Sequence, residues 1–175
     1  ATTGSRKRAV HSAATAVRYP SWSPAPASSA RSCGSGSPRS PEYAALGRPF
    51  DLRILQGLPA GWFNVLHLHG SDVYFEDLAD YPVQAINWHD RETWPDLTSA
   101  LTRFPAAVIG GIRQWETLGR GTPAQVEAEA REAYAQTGGQ RFILGTGCVT
   151  PITAPLANLH AVRRAVEWLS LGRQE

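Results

Sequence analysis

Short, almost continuous apolar runs recur along the chain from about residue 60 onward. Runs of strand length lie at WFNVLHL (62–68), PVQAINW (82–88), AAVIGG (106–111) and RFILGTG (141–147). Apolar and polar residues do not alternate within them, and strands buried on both faces of a parallel sheet have this texture. The pattern predicts four parallel strands.

Segments with helical signals separate these runs. They lie at roughly 71–80, 94–104, 122–137 and 154–170. The third has the clearest boundaries: Thr122, Pro123 and Gln125 form a capping box at its start, and Gly138-Gly139 is suited to its end. Four strand–helix units predict right-handed βαβ connections in an α/β fold, and four such units make half of a TIM (β/α)₈ barrel.

Residues 1–41 differ from the rest of the chain in composition. They hold ten serines and six Lys or Arg with no acidic residue, whereas residues 42–175 hold 11 Lys or Arg and 15 Asp or Glu, a net charge of −4. With few large aliphatic side chains, the first segment cannot bury enough apolar surface to offset the entropy of ordering. It is predicted to be a disordered or spurious leader, and we favour out-of-frame translation over a transit peptide as its origin.

Composition also narrows the class of protein. The acidic domain gives no sign of nucleic-acid binding, and no apolar run reaches the roughly 18 residues of a membrane span. The two cysteines, Cys33 and Cys148, lie in regions of very different composition. We therefore expect no disulfide, no membrane partner and a cytoplasmic location. The chain contains no methionine, which predicts a fragment or a processed chain.

Residues that are unusual in a core follow each predicted strand. They are His67, His69 and Gly70; Asn87, Trp88, His89, Asp90 and Arg91; Gly110 and Gly111; and Thr146, Gly147 and Cys148. In (β/α)₈ barrels, catalytic residues gather at the C-terminal ends of the strands. His67 and His69 are two residues apart, so on a strand they project from one face. The pattern predicts the rim of an active site.

Three of these residues have side chains that bind transition metals. A catalytic zinc site takes three protein ligands and leaves a fourth position open, and His67, His69 and Cys148 form such a set. Alternatively, the two histidines hydrogen-bond to their neighbours or bind substrate carboxylates, and Cys148 is a small buried hydrophobic residue.

The other polar residues at the strand ends suggest proton transfer and substrate binding. The candidates for catalysis are His67, His69, His89 and Asp90, and those for substrate binding are Asn87, Arg91, Gly110, Gly111 and Thr146. Asp90 or His89 can transfer a proton, and Arg91 can pair with a carboxylate through two hydrogen bonds. The alternatives are a local Asp90–Arg91 network at the start of a helix and a tight turn at the glycines.

The ordered series HxHG, INWHDRET, IGGI…TLGRGTP and ILGTGC…P.T.P..N resembles the C-terminal half of the uroporphyrinogen decarboxylase family. The resemblance covers about residues 43–172. It implies the second half of a TIM barrel. The family includes the haem-pathway decarboxylase, which needs no cofactor. It also includes corrinoid-dependent methyltransferases, which hold zinc through His-x-Cys and a distant cysteine.

The chain departs from both patterns of the family. Gly145-Thr146-Gly147 stands where the decarboxylase has Gly-His-Gly, so that histidine is absent. His67 and Cys148 match the zinc histidine and the distant cysteine of the methyltransferases, while His69 stands at the place of the first cysteine.

Three functions follow as expectations from the resemblance. The first is a lyase of porphyrin biosynthesis that decarboxylates a tetrapyrrole-type or small carboxylated substrate. The second is a zinc-dependent methyltransferase that uses His67, His69 and Cys148, a thiol and a corrinoid protein. The third is an inactive fragment, because half a barrel does not enclose an active site. A homodimer is left open.

Overall fold

The computed structural model describes residues 14–16 and 41–171. Its strands are β1 (Ala14–Ala16), β2 (Val65–His67), β3 (Ala85–Asn87), β4 (Ala107–Ile112) and β5 (Phe142–Thr146). They form one parallel sheet in the order β1-β2-β3-β4-β5. Each strand pairs with the next along the chain, without the reversal of order that marks a doubly wound sheet. This is the topology of part of a (β/α)₈ barrel, as the sequence predicts.

Helices alternate with these strands. They are α1 (Pro41–Leu46), α2 (Arg48–Gln56), α3 (Phe75–Leu78), α4 (Leu97–Arg103), α5 (Pro123–Thr137) and α6 (Leu156–Leu171), with a π-helix at Gln114–Gly119. Helix α5 packs on β4, β5 and α6. No helix among the described residues is both long enough and apolar enough to cross a membrane.

Several boundaries differ from those in the sequence prediction. The helix predicted over 71–80 is reduced to the single turn α3, because Gly70 and the polar residues after it form bends and Pro82 limits extension at the other end. Helices α1 and α2 and the π-helix are not among the predicted elements. Helix α5 is confirmed, with the Thr122–Gln125 capping box at its start and a left-handed Gly138 at its end.

The sequence predicts no structure over residues 1–41, but the structure places Ala14–Ala16 in β1, parallel to β2. The prediction therefore does not hold for these three residues, and Pro41 already belongs to α1. A ladder needs only backbone N–H and C=O groups, so three small residues can pair without a hydrophobic signal. The rest of the predicted leader lies outside the described residues.

The main hydrophobic cluster surrounds Trp88, which is fully buried between Asn87 and His89. Its indole N–H donates to the carbonyl of Pro95 at 2.8 Å, and its ring packs edge-on against Phe75, with 5.0 Å between centroids. A buried aromatic residue with its polar atom satisfied fixes the adjacent backbone. The core therefore anchors the end of β3, where the candidate site begins.

Candidate metal centre

His67, His69 and Cys148 come together at one edge of the sheet. His67 ends β2, His69 follows two residues later, and Cys148 lies two residues after the end of β5. Their ligand atoms all lie within 4.8 Å of one another, and Cys148 Sγ is 3.6 Å from His69 Nδ1. His67 and Cys148 are half-buried, whereas His69 is exposed. The sheet topology thus joins residues that are 79 positions apart in the chain.

Asn87 fixes the orientation of the His67 ring. Its amide nitrogen donates to the carbonyls of Ile109 and Thr146, at 2.9 and 3.0 Å. Its amide oxygen therefore faces His67 Nδ1, at 2.7 Å. An amide oxygen only accepts hydrogen bonds, so the proton of the neutral imidazole must sit on Nδ1. The lone pair on Nε2 is then free to bind a metal or a proton.

Burial favours the neutral form of His67. Desolvation lowers the pKa of His67, with smaller contributions from the neighbouring His69 and His89, while the hydrogen bond with Asn87 acts in the opposite direction. A neutral imidazole is the form that coordinates metals. His67 therefore has the tautomer of a metal ligand, and its lowered pKa favours the neutral form that binds metals.

His89 extends the cluster from the end of β3. Its Nε2 lies 3.3 Å from His69 Nδ1, with the two rings edge to face at 5.1 Å. On its other side, His89 Nδ1 lies 3.4 Å from a carboxylate oxygen of Glu92. The sequence prediction that His89 belongs with the other two histidines at this edge agrees with these contacts. Its catalytic role stays a prediction.

Thr146 and Gly147 shape the turn that presents Cys148. The Thr146 hydroxyl donates to the carbonyl of Cys148. A Cβ at Gly147 would lie 2.8 Å from His89 Cα and 2.9 Å from the Trp88 carbonyl oxygen. Glycine is needed here because the turn passes directly over the backbone at the end of β3. Thr146 thus supports the cysteine turn, and substrate binding by Thr146 stays a prediction.

Asp90, Gly110 and Gly111 form a separate unit, which we call the carboxylate cradle. Asp90 is 8% exposed, and both of its carboxylate oxygens lie 3.1 Å from the Gly111 N–H. A Cβ at Gly110 would lie 2.3 Å from an Asp90 oxygen. The group that approaches these glycines closely is therefore the Asp90 side chain. Burial raises the pKa of Asp90 to about 6.

Arg91 binds protein groups near the cradle. Its Nε donates to the Gly111 carbonyl at 2.5 Å, Nη2 to the Glu129 carbonyl at 2.9 Å, and Nη1 to the Glu132 carboxylate at 3.0 Å. Its side chain is only 9% exposed. The structure thus places Asp90 and Arg91 in a network with β4 and α5, and it does not bring Arg91 to the histidines. Substrate binding by Arg91 stays a prediction.

Two buried polar residues near the strand ends are absent from the sequence prediction. Gln114 is 7% exposed and begins the π-helix just after β4. Glu129 is 8% exposed and accepts hydrogen bonds from Arg113 and Thr117. A signal for Gln114 existed, because it lies just beyond a predicted strand end. Glu129 lies within α5, where a single glutamate is usually a surface residue.

Comparison with known proteins agrees with this geometry. The family model described as "Uroporphyrinogen decarboxylase (URO-D)" matches residues 39–168. The chain belongs to the uroporphyrinogen decarboxylase family. This confirms the resemblance that the strand-end motifs indicate. A search of curated proteins gave no significant match.

Among solved structures, this uroporphyrinogen decarboxylase family chain is similar to a methyltransferase from Methanosarcina mazei. The TM-score is 0.62 at 20% sequence identity, and the match covers 73% of this chain and 37% of that one. The likeness confirms the fold as part of a TIM-type barrel. The chain thus matches little more than a third of the length of that methyltransferase.

Proposed function

We propose that this chain supplies the metal-binding part of a methyltransferase-type active site, in which His67, His69 and Cys148 hold zinc. The substrate is a thiol that accepts a methyl group from a corrinoid donor. The observation that carries the proposal is the convergence of the three ligand atoms within 4.8 Å. Tetrahedral zinc requires ligand atoms roughly 3–4 Å apart. The 3.6 Å between Cys148 Sγ and His69 Nδ1 meets this requirement, and the 4.8 Å limit for the whole set exceeds it by less than about 1 Å.

The surroundings of His67 favour the binding of a metal, rather than a proton, at its Nε2 atom. Asn87 holds the proton of His67 on Nδ1, which leaves Nε2 as the donor, and burial lowers the pKa of His67. A hydrogen-bonded outer partner of this kind typically orients a ligating histidine. When bound, zinc would supply the chemistry of thiol deprotonation, which makes the substrate sulfur nucleophilic.

The similar solved structure is that of a methyltransferase from Methanosarcina mazei, which agrees with this proposal. At 20% identity the likeness in itself concerns the fold. The argument for methyl transfer therefore rests on the donor set of this chain, two imidazoles and one thiol, which is typical of zinc.

Decarboxylation of a tetrapyrrole-type or small carboxylated substrate is the second candidate, favoured by the description of the family. That reaction needs cations to hold substrate carboxylates, and no cofactor. Arg91 is the arginine that the sequence assigns to this task, but its guanidinium nitrogens already bind Gly111, Glu129 and Glu132. This network makes decarboxylation the weaker candidate at this edge of the sheet.

Titration of the purified chain with Co²⁺ tests the proposal, because cobalt replaces zinc and its thiolate bond has a charge-transfer absorption. We expect one equivalent to bind with this absorption. Cys148→Ser should abolish the absorption and weaken binding, while Cys33→Ser, which removes the other cysteine, should change neither. Absence of cobalt binding, together with binding of a carboxylated tetrapyrrole, would overturn the proposal in favour of decarboxylation.

A further inference from the structure

Gln114 makes two side-chain hydrogen bonds beside the candidate metal centre. Its amide nitrogen donates to the carbonyl of Val149 at 3.1 Å, and its amide oxygen accepts from the indole N–H of Trp115 at 3.0 Å. This orientation is assigned because the opposite one would set oxygen against oxygen and nitrogen against nitrogen. Gln114 is 7% exposed, whereas Val149 is 74% exposed. A buried side chain thus holds an exposed segment.

The segment that Gln114 holds is the one that carries Cys148. The carbonyl of Cys148 accepts from Thr146, in the same turn, and the next carbonyl, that of Val149, accepts from Gln114. The first hydrogen bond is local, but the second joins the turn to the residues that follow β4. Gln114 therefore ties the cysteine turn to a neighbouring part of the sheet edge.

The helix that begins at Gln114 has π geometry over Gln114–Gly119. Segments of π-helix are rare in proteins, and those that do occur are often found at functional sites. The π-helix is also held to helix α5, because the Thr117 hydroxyl donates to the Glu129 carboxylate at 2.9 Å. Gln114 and Thr117 are thus two buried polar residues of one element, 7% and 8% exposed, with different partners.

We infer that Gln114 is a positioning residue that holds the Cys148 thiol beside His69. The inference rests on the proposed function, since the position of the thiol matters for metal binding. Gln114 does not contact His67, His69 or the thiol in the described structure; it acts through the backbone at Val149. Loss of its amide leaves the Val149 carbonyl to water and frees the turn to move away from His69.

The test compares Gln114→Leu with Thr117→Val, both in a Cys33→Ser background so that Cys148 is the single thiol. Each substitution removes a buried hydrogen-bonding side chain from the same π-helix, but only the first releases the cysteine turn. Two quantities are measured: the rate at which iodoacetamide alkylates Cys148 in the metal-free chain, and the affinity for Co²⁺. Circular dichroism and equilibrium unfolding check that each variant is folded under the assay conditions.

We expect Gln114→Leu to speed alkylation several-fold and to weaken cobalt binding by about tenfold or more, as loss of outer-shell support does in metal sites. Thr117→Val should change both quantities by less than about twofold. Equal effects of the two substitutions, or no effect of Gln114→Leu on either quantity, would overturn the inference. Faster alkylation in a chain that binds no cobalt would support the positioning role and refute the metal proposal instead.

Discussion

His67 Nδ1 lies 2.7 Å from Asn87 Oδ1, and the two residues are direct partners in the register of β2 and β3. The same amide donates to carbonyls at Ile109 and Thr146. One asparagine therefore links four neighbouring strands and sets the tautomer of a candidate ligand. Its structural and functional effects can be separated by experiment.

Asn87→Leu should lower metal affinity through loss of the contact with His67. We expect cobalt to bind about 10–100-fold more weakly, and the free energy of unfolding to fall by about 1–3 kcal/mol, because two carbonyls lose their donor. Asn158→Leu is the matched control: Asn158 is buried, whereas Asn87 is half-buried, and its amide nitrogen likewise donates to backbone carbonyls, among them those of Leu118 and Gly121 at 2.9 Å.

Both variants should be destabilised, but only Asn87→Leu should lose metal affinity. Denaturant unfolding and cobalt titration measure the two effects. Equal cobalt affinities for the two variants would show that Asn87 has no part in the metal centre beyond folding.

The carboxylate cradle predicts a pH dependence of stability. Burial raises the pKa of Asp90 from its ordinary 3.8 to about 6, so between these pH values the folded chain holds a proton that the unfolded chain has lost. Stability due to Asp90 is therefore greatest at low pH and falls as the pH rises from about 4 to 6, by about 3 kcal/mol. Asp90→Asn removes this titration. The difference in unfolding free energy between the variant and the parent should therefore shift in favour of the variant as the pH rises from about 4 to 6.

Asp80→Asn serves as a control of opposite sign. The hydrogen bond and ion pair with Arg48 lower the pKa of Asp80, so its contribution is present at neutral pH and is lost as the pH falls. Unfolding free energies of the parent and both variants between about pH 2 and 7 give the two differences, because the Asp80 contribution is lost only below its ordinary pKa of 3.8. A difference between Asp90→Asn and the parent that stays constant with pH would contradict the raised pKa of Asp90.

Gly147→Ala should disturb the turn that carries Cys148. The added Cβ would lie 2.8 Å from His89 Cα, and backbone cannot move aside cheaply. We expect a loss of about 1–3 kcal/mol in unfolding free energy together with weaker cobalt binding. Gly57→Ala, whose Cβ would meet the Ile54 and Arg53 carbonyl oxygens at the ordinary contact distances of 3.4 and 3.6 Å, should change stability by less than about 0.5 kcal/mol. Similar stabilities for both variants would argue against the close packing at Gly147.

Arg91→Met distinguishes a structural from a substrate-binding arginine. Removal of the guanidinium leaves the carbonyls of Gly111 and Glu129 without their donors, so we expect a loss of about 1–3 kcal/mol in stability and unchanged cobalt affinity. Arg163→Met, which removes an exposed pair with Glu167, should cost about 0.5 kcal/mol or less. If Arg91→Met keeps full stability but abolishes binding of a carboxylated ligand, Arg91 is a substrate residue.

The sequence by itself determined the elements with strong local signals. Helix α5 follows from the Thr122–Gln125 capping box and Gly138, because capping is decided within a few residues. The parallel sheet follows from continuous apolar runs, since buried strands need apolar side chains on both faces. The period of a strand also predicts that His67 and His69 project together, although β2 ends at His67; their ring centroids lie 6.0 Å apart.

Other features depend on contacts between distant parts of the chain, which no local pattern contains. The approach of Cys148 to His69 requires the order of β2, β3, β4 and β5 in the sheet. The sequence does not reveal that the glycines at 110 and 111 receive the carboxylate of Asp90, because a glycine signals only that some group comes close. Strand β1 likewise depends on a distant part of the chain. Its three small residues have no hydrophobic pattern that predicts a strand, and their hydrogen-bonding partner is the backbone of β2.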